Sequence, residues 1–135
     1  MEPAAHQQPD GLARAGALGI ALGRIGIGVG ALVATRPALS ALGFEDPAPA
    51  TVVLARMAGV RDIALGLQTL AVRDDAGRLR ETSALGAVVD AGDAFAFGSA
   101  LARREGMDAA ALKSLPLAGA AVIAGAWVAS RLGAR

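Results

Sequence analysis

The stretch LPLAGAAVIAGAWVASRL, residues 115–132, carries no charge before Arg131 and little polarity of any kind. A helix lying on a soluble core needs one polar face to show to water. This segment offers only Ser130 and Arg131, both at its end. Its length approaches the ~20 apolar residues that a helix needs to cross a bilayer at about 1.5 Å rise per residue. Three similar runs lie upstream, at 15–34, 50–72 and 83–102, and the first of them is interrupted only by Arg24. Neither the first nor the last run can form the surface of a soluble bundle unless a partner covers it, so a membrane setting is the better reading.

Polar connectors separate the runs. TRPALSALGFEDPAP (35–49) holds three prolines, RDDAGRLRET (73–82) is dense in charge, and RREGMDAAALK (103–113) is mixed. Period-two alternation and β-branched clusters bounded by hairpin turns are missing, which argues against strands. The expectation is an all-α fold: four transmembrane helices in an up-down-up-down antiparallel bundle. They form a single domain over 15–132, preceded by a polar, disordered tail over 1–14. That tail lacks the early basic residues of a secretory signal.

Composition bounds the chemistry. Of the 135 residues, 54% are hydrophobic and 19% charged, below the roughly 25% charged of soluble domains. The mean hydropathy is +0.49. A net charge of +1 argues against a nucleic-acid partner. The absence of cysteine excludes disulfides, zinc–thiolate sites and cysteine nucleophiles. His6 is the one histidine and lies in the polar tail, so histidine metal sites and triads are not expected. Aromatic residues, at 3%, are sparse for a membrane protein. With four spans, Arg14, Arg73, Arg78, Arg80, Arg131 and Arg135 fall on one side and Arg36, Arg103, Arg104 and Lys113 on the other. The richer side holds both termini, which places them in the cytoplasm of a multi-pass protein of the cell membrane.

Six charges fall inside the runs: Arg24, Arg56, Arg61, Asp62, Asp90 and Asp93. Each would cost about 2.5–3.5 kcal/mol at a helix centre if isolated, so they are expected to face one another inside the protein. Asp90 and Asp93 are three residues apart and share a helix face. Arg56 and Arg61 diverge by about 140°, and Arg61 and Asp62 by about 100°. The last two are therefore expected to find partners on different neighbouring helices rather than each other.

Charged groups at membrane depth usually mark function. The leading expectation is a site for the polar group of a hydrophobic small molecule. Arg61, with Arg56 or Arg24, binds an oxygen of that group, and Asp90, Asp93 or Asp62 serves as acid or base. The competing reading is a structural or accessory membrane protein whose charges only fix helix packing. A proton path ranks behind both, because Asp62, Asp90 and Asp93 read as one layer.

Other motifs are weaker. Gly26, Gly28 and Ala31 match G-x-G-x-x-A, but no strand precedes them and no βαβ unit surrounds them, so no dinucleotide cofactor is expected. The Asp90–Asp93 stretch DAGD lacks the further carboxylates of a metal-diphosphate site, so no metal is assigned. Gly19 with Gly23, and Gly26 with Gly30, are small-xxx-small pairs suited to helix packing or to self-association through the first helix. Phe95 and Phe97 read as core or lipid contacts, or as the wall of a pocket beside Asp93. Trp127 reads as an interfacial anchor.

Arg24, RMAGVRD at 56–62 and DAGD at 90–93 together resemble a family of small, uncharacterised proteins with four predicted membrane helices. The similarity covers about residues 18–132. The resemblance implies a four-helix membrane fold with charged residues kept inside the helices, and it implies no particular reaction.

Overall fold

The computed structural model describes residues 8–133; of the expected tail over 1–14, residues 1–7, with His6, lie outside them. The described residues form five helices and no strand: α1 (Gln8–Val33), α2 (Thr35–Ala41), α3 (Pro49–Ala71), α4 (Ala76–Ala102) and α5 (Asp108–Gly133). Three of these segments are long and apolar enough to cross a membrane: Gly11–Val33 of α1, with a mean hydropathy of 1.8, α4 with 1.3 and α5 with 1.5. They suggest a multi-pass membrane protein.

The expected set of four transmembrane helices, up-down-up-down, is therefore corrected. The run at 50–72 does become a helix, but Arg56, Arg61 and Asp62 break its apolar stretch near the middle, and α3 is not among the candidate spans. A fifth helix, α2, forms inside the expected connector. Pro37 is compatible with it because it sits in the first turn, where no intrahelical N–H bond is lost.

The remaining differences lie at helix boundaries. α1 begins at Gln8 rather than 15, α4 at Ala76 rather than 83, and α5 at Asp108 rather than 115. Hydropathy marks what lipid would tolerate, whereas a helix runs on through polar residues until its backbone is capped. Asp75 supplies such a cap for α4, its Oδ1 accepting the Arg78 backbone N–H at 3.0 Å.

The helices pack as two antiparallel pairs. α4 and α5 share the most extensive contact and α1 and α3 the next, while α1 against α5 joins the pairs. α3 and α4 make little backbone contact. The α1–α3 approach depends on missing side chains. A Cβ on Gly28 would lie 2.5 Å from the Gly59 carbonyl oxygen, one on Gly59 2.8 Å from that of Gly28, and one on Gly66 2.6 Å from that of Ala21. These helices touch backbone to backbone.

The glycines singled out in α1 do otherwise. Gly19, Gly23, Gly26 and Gly30 have nothing within 4 Å of a built Cβ. The small-xxx-small spacing identified a bare stripe, and the packing glycine of α1 is Gly28.

Small residues fill the interior and large apolar ones face out. Ala13, Ala17, Ala21, Ala87, Ala110 and Ala111 are buried, whereas Ile27, Val33, Val88, Phe95 and Ile123 are more than two-thirds exposed. A soluble core shows the reverse preference. This arrangement suits a lipid solvent, in which close backbone packing drives association. The largest wholly buried side chains, Leu79 and Val128, join Ala13, Ala17 and Leu132 in an apolar cluster where the N-terminal half of α1 meets the start of α4 and the end of α5.

Two outcomes are expected. The protein stays in the membrane fraction through carbonate and high-salt washing; recovery as a soluble monomer without detergent would contradict the outward apolar surface. In detergent, Gly28→Leu lowers the thermal midpoint by several degrees through overpacking of about 1–3 kcal/mol or more, while Gly23→Leu leaves it nearly unchanged.

Candidate functional site

Arg24 projects from the middle of α1 toward α3 and α4. Its Nη1 donates to Asp62 Oδ1 at 3.3 Å, and its Nη2 donates to Asp90 Oδ2 at 2.6 Å and to the Gly86 carbonyl at 3.2 Å. Gly86 leaves room for this guanidinium, since a Cβ there would come within 3.1 Å of Nη2. Gly86 is a site residue that the charge pattern could not reveal, although it lies one turn before Asp90 on the same face.

Arg61 on α3 reaches across to α4. Its Nη1 donates to Asp93 Oδ1 at 2.9 Å and its Nη2 to Asp93 Oδ2 at 2.7 Å, a two-pronged pair. Nη2 also approaches Asp62 Oδ1 at 3.3 Å. The neighbours Arg61 and Asp62, expected to point apart, therefore do meet while each also binds another helix. The length of the arginine side chain lets it bend back, and Asp62 Oδ1 serves both guanidiniums.

Arg24, Arg61, Asp62, Asp90 and Asp93 thus form one network on three helices. Arg56 is not part of it. Its Nε donates to the Thr35 hydroxyl at 3.2 Å, and that hydroxyl donates to the Ala31 carbonyl at 2.7 Å, so Arg56 ties α3 to the start of α2. The wide divergence between Arg56 and Arg61 around the helix accounts for the separation.

The network has a closed end and an open end. The side chains of Arg24 and Asp90 retain 11% and 9% of their exposure, and Asp62 retains 16%. Arg61 and Asp93 retain 37% and 36%. The open end coincides with the seam where α3 and α4 stand apart. Phe95 points outward at 77% exposure, so it does not wall a pocket at Asp93.

A small cavity lies at the closed end, with ≈ 20 Å³ of room for water among Arg24, Thr69, Thr82, Ser83 and Gly86. That is room for about one water molecule. Thr69 and Ser83 donate to carbonyls one turn back, at Leu65 and Leu79. The Leu79–Val128 cluster closes the protein beyond the cavity. The polar groups therefore stop inside the protein rather than running through it. Among the described residues, no three histidine, cysteine or carboxylate side chains are placed to hold a metal ion.

No protein-family model, curated protein or solved structure matches the chain.

The two ends should respond differently to charge removal. Asp90→Asn strands part of the Arg24 charge in a closed environment and is expected to cost about 3–5 kcal/mol. Asp93→Asn acts on a pair open to its surroundings and is expected to cost about 1 kcal/mol or less. Thermal unfolding of both variants in detergent checks this, and equal losses would remove the distinction between the ends.

Proposed function

We propose that this is an integral membrane protein that binds a hydrophobic small molecule by its polar group at the α3–α4 seam. The observation that carries the reading is the contrast within one ion network. Arg24 is enclosed by carboxylates from two other helices, whereas the Arg61–Asp93 pair bridges two separated helices and stays more than a third exposed. A purely structural network gains nothing from leaving its strongest two-pronged pair open.

In this reading Arg24, Asp62 and Asp90 hold the helices and fix the charges in place. Arg61 and Asp93 meet the ligand. Asp93 is the carboxylate within reach of a proton on the bound polar group, and acid–base chemistry on that group falls to it. Arg56 acts from outside, by setting α2 against α3. The lipid bilayer, and a second copy meeting the bare glycine stripe of α1, are the partners that go with this reading. So is placement in the cell membrane with both termini in the cytoplasm.

The alternative, a structural or accessory protein whose charges only fix packing, draws on a specific observation of its own: Asp93 uses both oxygens on Arg61. The two readings part on one measurement. If Arg61 and Asp93 form a binding site, mass spectrometry of the purified protein finds a hydrophobic small molecule carried by the wild type and lost from Asp93→Asn, with both proteins equally folded. If wild type and variant carry the same lipids in the same amounts, the seam is a strut.

A further inference from the structure

The charges inside the apolar runs cancel. Arg24, Arg56 and Arg61 stand against Asp62, Asp90 and Asp93, and Arg56 keeps its charge while its Nε donates to the neutral Thr35 hydroxyl. The open end of the network is also balanced by itself. Arg61 and Asp93 form a one-to-one pair there, and each keeps more than a third of its side chain exposed. An ionised head brought to this pair adds a charge without a counter-charge, at a depth where lone charges are costly.

Hydrogen-bonding capacity is left over on both partners. A guanidinium is planar and carries its N–H groups in fixed directions. The two at the end of Arg61 meet Asp93, Nη1 on Oδ1 at 2.9 Å and Nη2 on Oδ2 at 2.7 Å. On one flank the second N–H of Nη2 is left for Asp62 Oδ1 at 3.3 Å, and Nε beside it is wholly enclosed. That flank faces the network. The opposite flank carries the second N–H of Nη1, whose one acceptor among the described residues is Asp93 Oδ1, already met by the first. Asp93 takes one bond on each oxygen, and each carboxylate oxygen has a second lone pair. The pair therefore offers a donor on Nη1 and, next to it, an acceptor on Oδ1.

From this geometry we infer that the ligand of the seam has a neutral head that both accepts and donates a hydrogen bond, of which a hydroxyl is the smallest. Its oxygen accepts from Arg61 Nη1 and its hydrogen donates to Asp93 Oδ1. The inference rests on the binding-site reading of the seam, keeps its contacts on Arg61 and Asp93, and names the chemical class of its ligand. An ether oxygen takes the donor and leaves the carboxylate unmet. A carboxylate head meets Asp93 as a like charge, and an ammonium head meets Arg61 as one.

The test uses the full chain in phosphatidylcholine nanodiscs, whose lipid carries no hydrogen-bond donor, and probes of matched chain length: dodecanol, dodecyl methyl ether, dodecanoate and dodecylamine. Binding is followed by titration calorimetry against protein-free discs in mildly alkaline buffer, where the acid is ionised and the amine protonated. Dodecanol is expected to bind saturably at one site per chain, roughly tenfold more tightly than the ether, the scale of one hydrogen bond to a charged group. Neither ion is expected to bind saturably to the wild type. Arg61→Gln leaves a carboxylate in excess and is expected to gain dodecylamine binding, whereas Asp93→Asn leaves a guanidinium in excess and is expected to gain dodecanoate binding. Loss of structure produces neither gain, and the wild-type order of probes decides the inference even where a variant fails to fold. Wild-type binding of either ion as tight as that of dodecanol, or ether binding equal to it, overturns the neutral donor–acceptor head and leaves the binding site standing. Gain of the same ion by both variants overturns the inference too. No saturable binding of any probe overturns the binding-site reading as well.

Discussion

Burying a guanidinium among apolar helices is costly without carboxylates, and Arg24 takes its two from different helices. Asp62 comes from α3 and Asp90 from α4, so burial of one side chain fixes three helices relative to one another. The geometry has to be good, because the attraction between buried charges offsets their loss of water only when hydrogen bonds are also made. Here the Gly86 carbonyl takes a third bond, and the glycine leaves the space for it. The rest of the site follows from that placement. With Asp62 held by Arg24, its Oδ1 also meets Arg61, and Arg61 then reaches Asp93 across the seam.

The close packing of α1 on α3 makes this reach workable. Gly28, Gly59 and Gly66 let the two backbones touch, so Asp62 on α3 comes within bonding distance of Arg24 on α1. Elsewhere the interior is largely alanine with a few larger residues such as Leu79 and Val128, and many Leu, Ile, Val and Phe side chains are turned outward. Such an interior contributes little through burial of large side chains. Backbone proximity and a few strong polar contacts hold it together, which is a workable balance in lipid and a poor one in water.

The α3–α4 seam is where these two devices do not act. No glycine contact draws these helices together, and the bridge between them is the two-pronged Arg61–Asp93 pair. Separation and exposure arise together there. The same network is thus rigid around Arg24 and accessible around Arg61. In the proposed function, structural and ligand-directed roles are divided along its length.

The sequence alone determined that the chain is helical and apolar, and that its internal charges must meet. Run length, the lack of alternation and the cost of isolated charges in hydrocarbon are local or additive properties, legible without a fold. Arg24, Arg61, Asp62, Asp90 and Asp93 were identifiable on those grounds. Tertiary structure alone decided that Arg56 leaves the group for Thr35, and that Gly28 and not Gly19, Gly23, Gly26 or Gly30 makes the helix contact. It also decided the helix ends, which extend through polar residues to a capping side chain such as Asp75. The physical reason is common to these cases. Periodicity places a residue on a face of its own helix, but which neighbour that face meets, and how closely, depends on the rotation and separation of two helices, set by contacts distant in the chain.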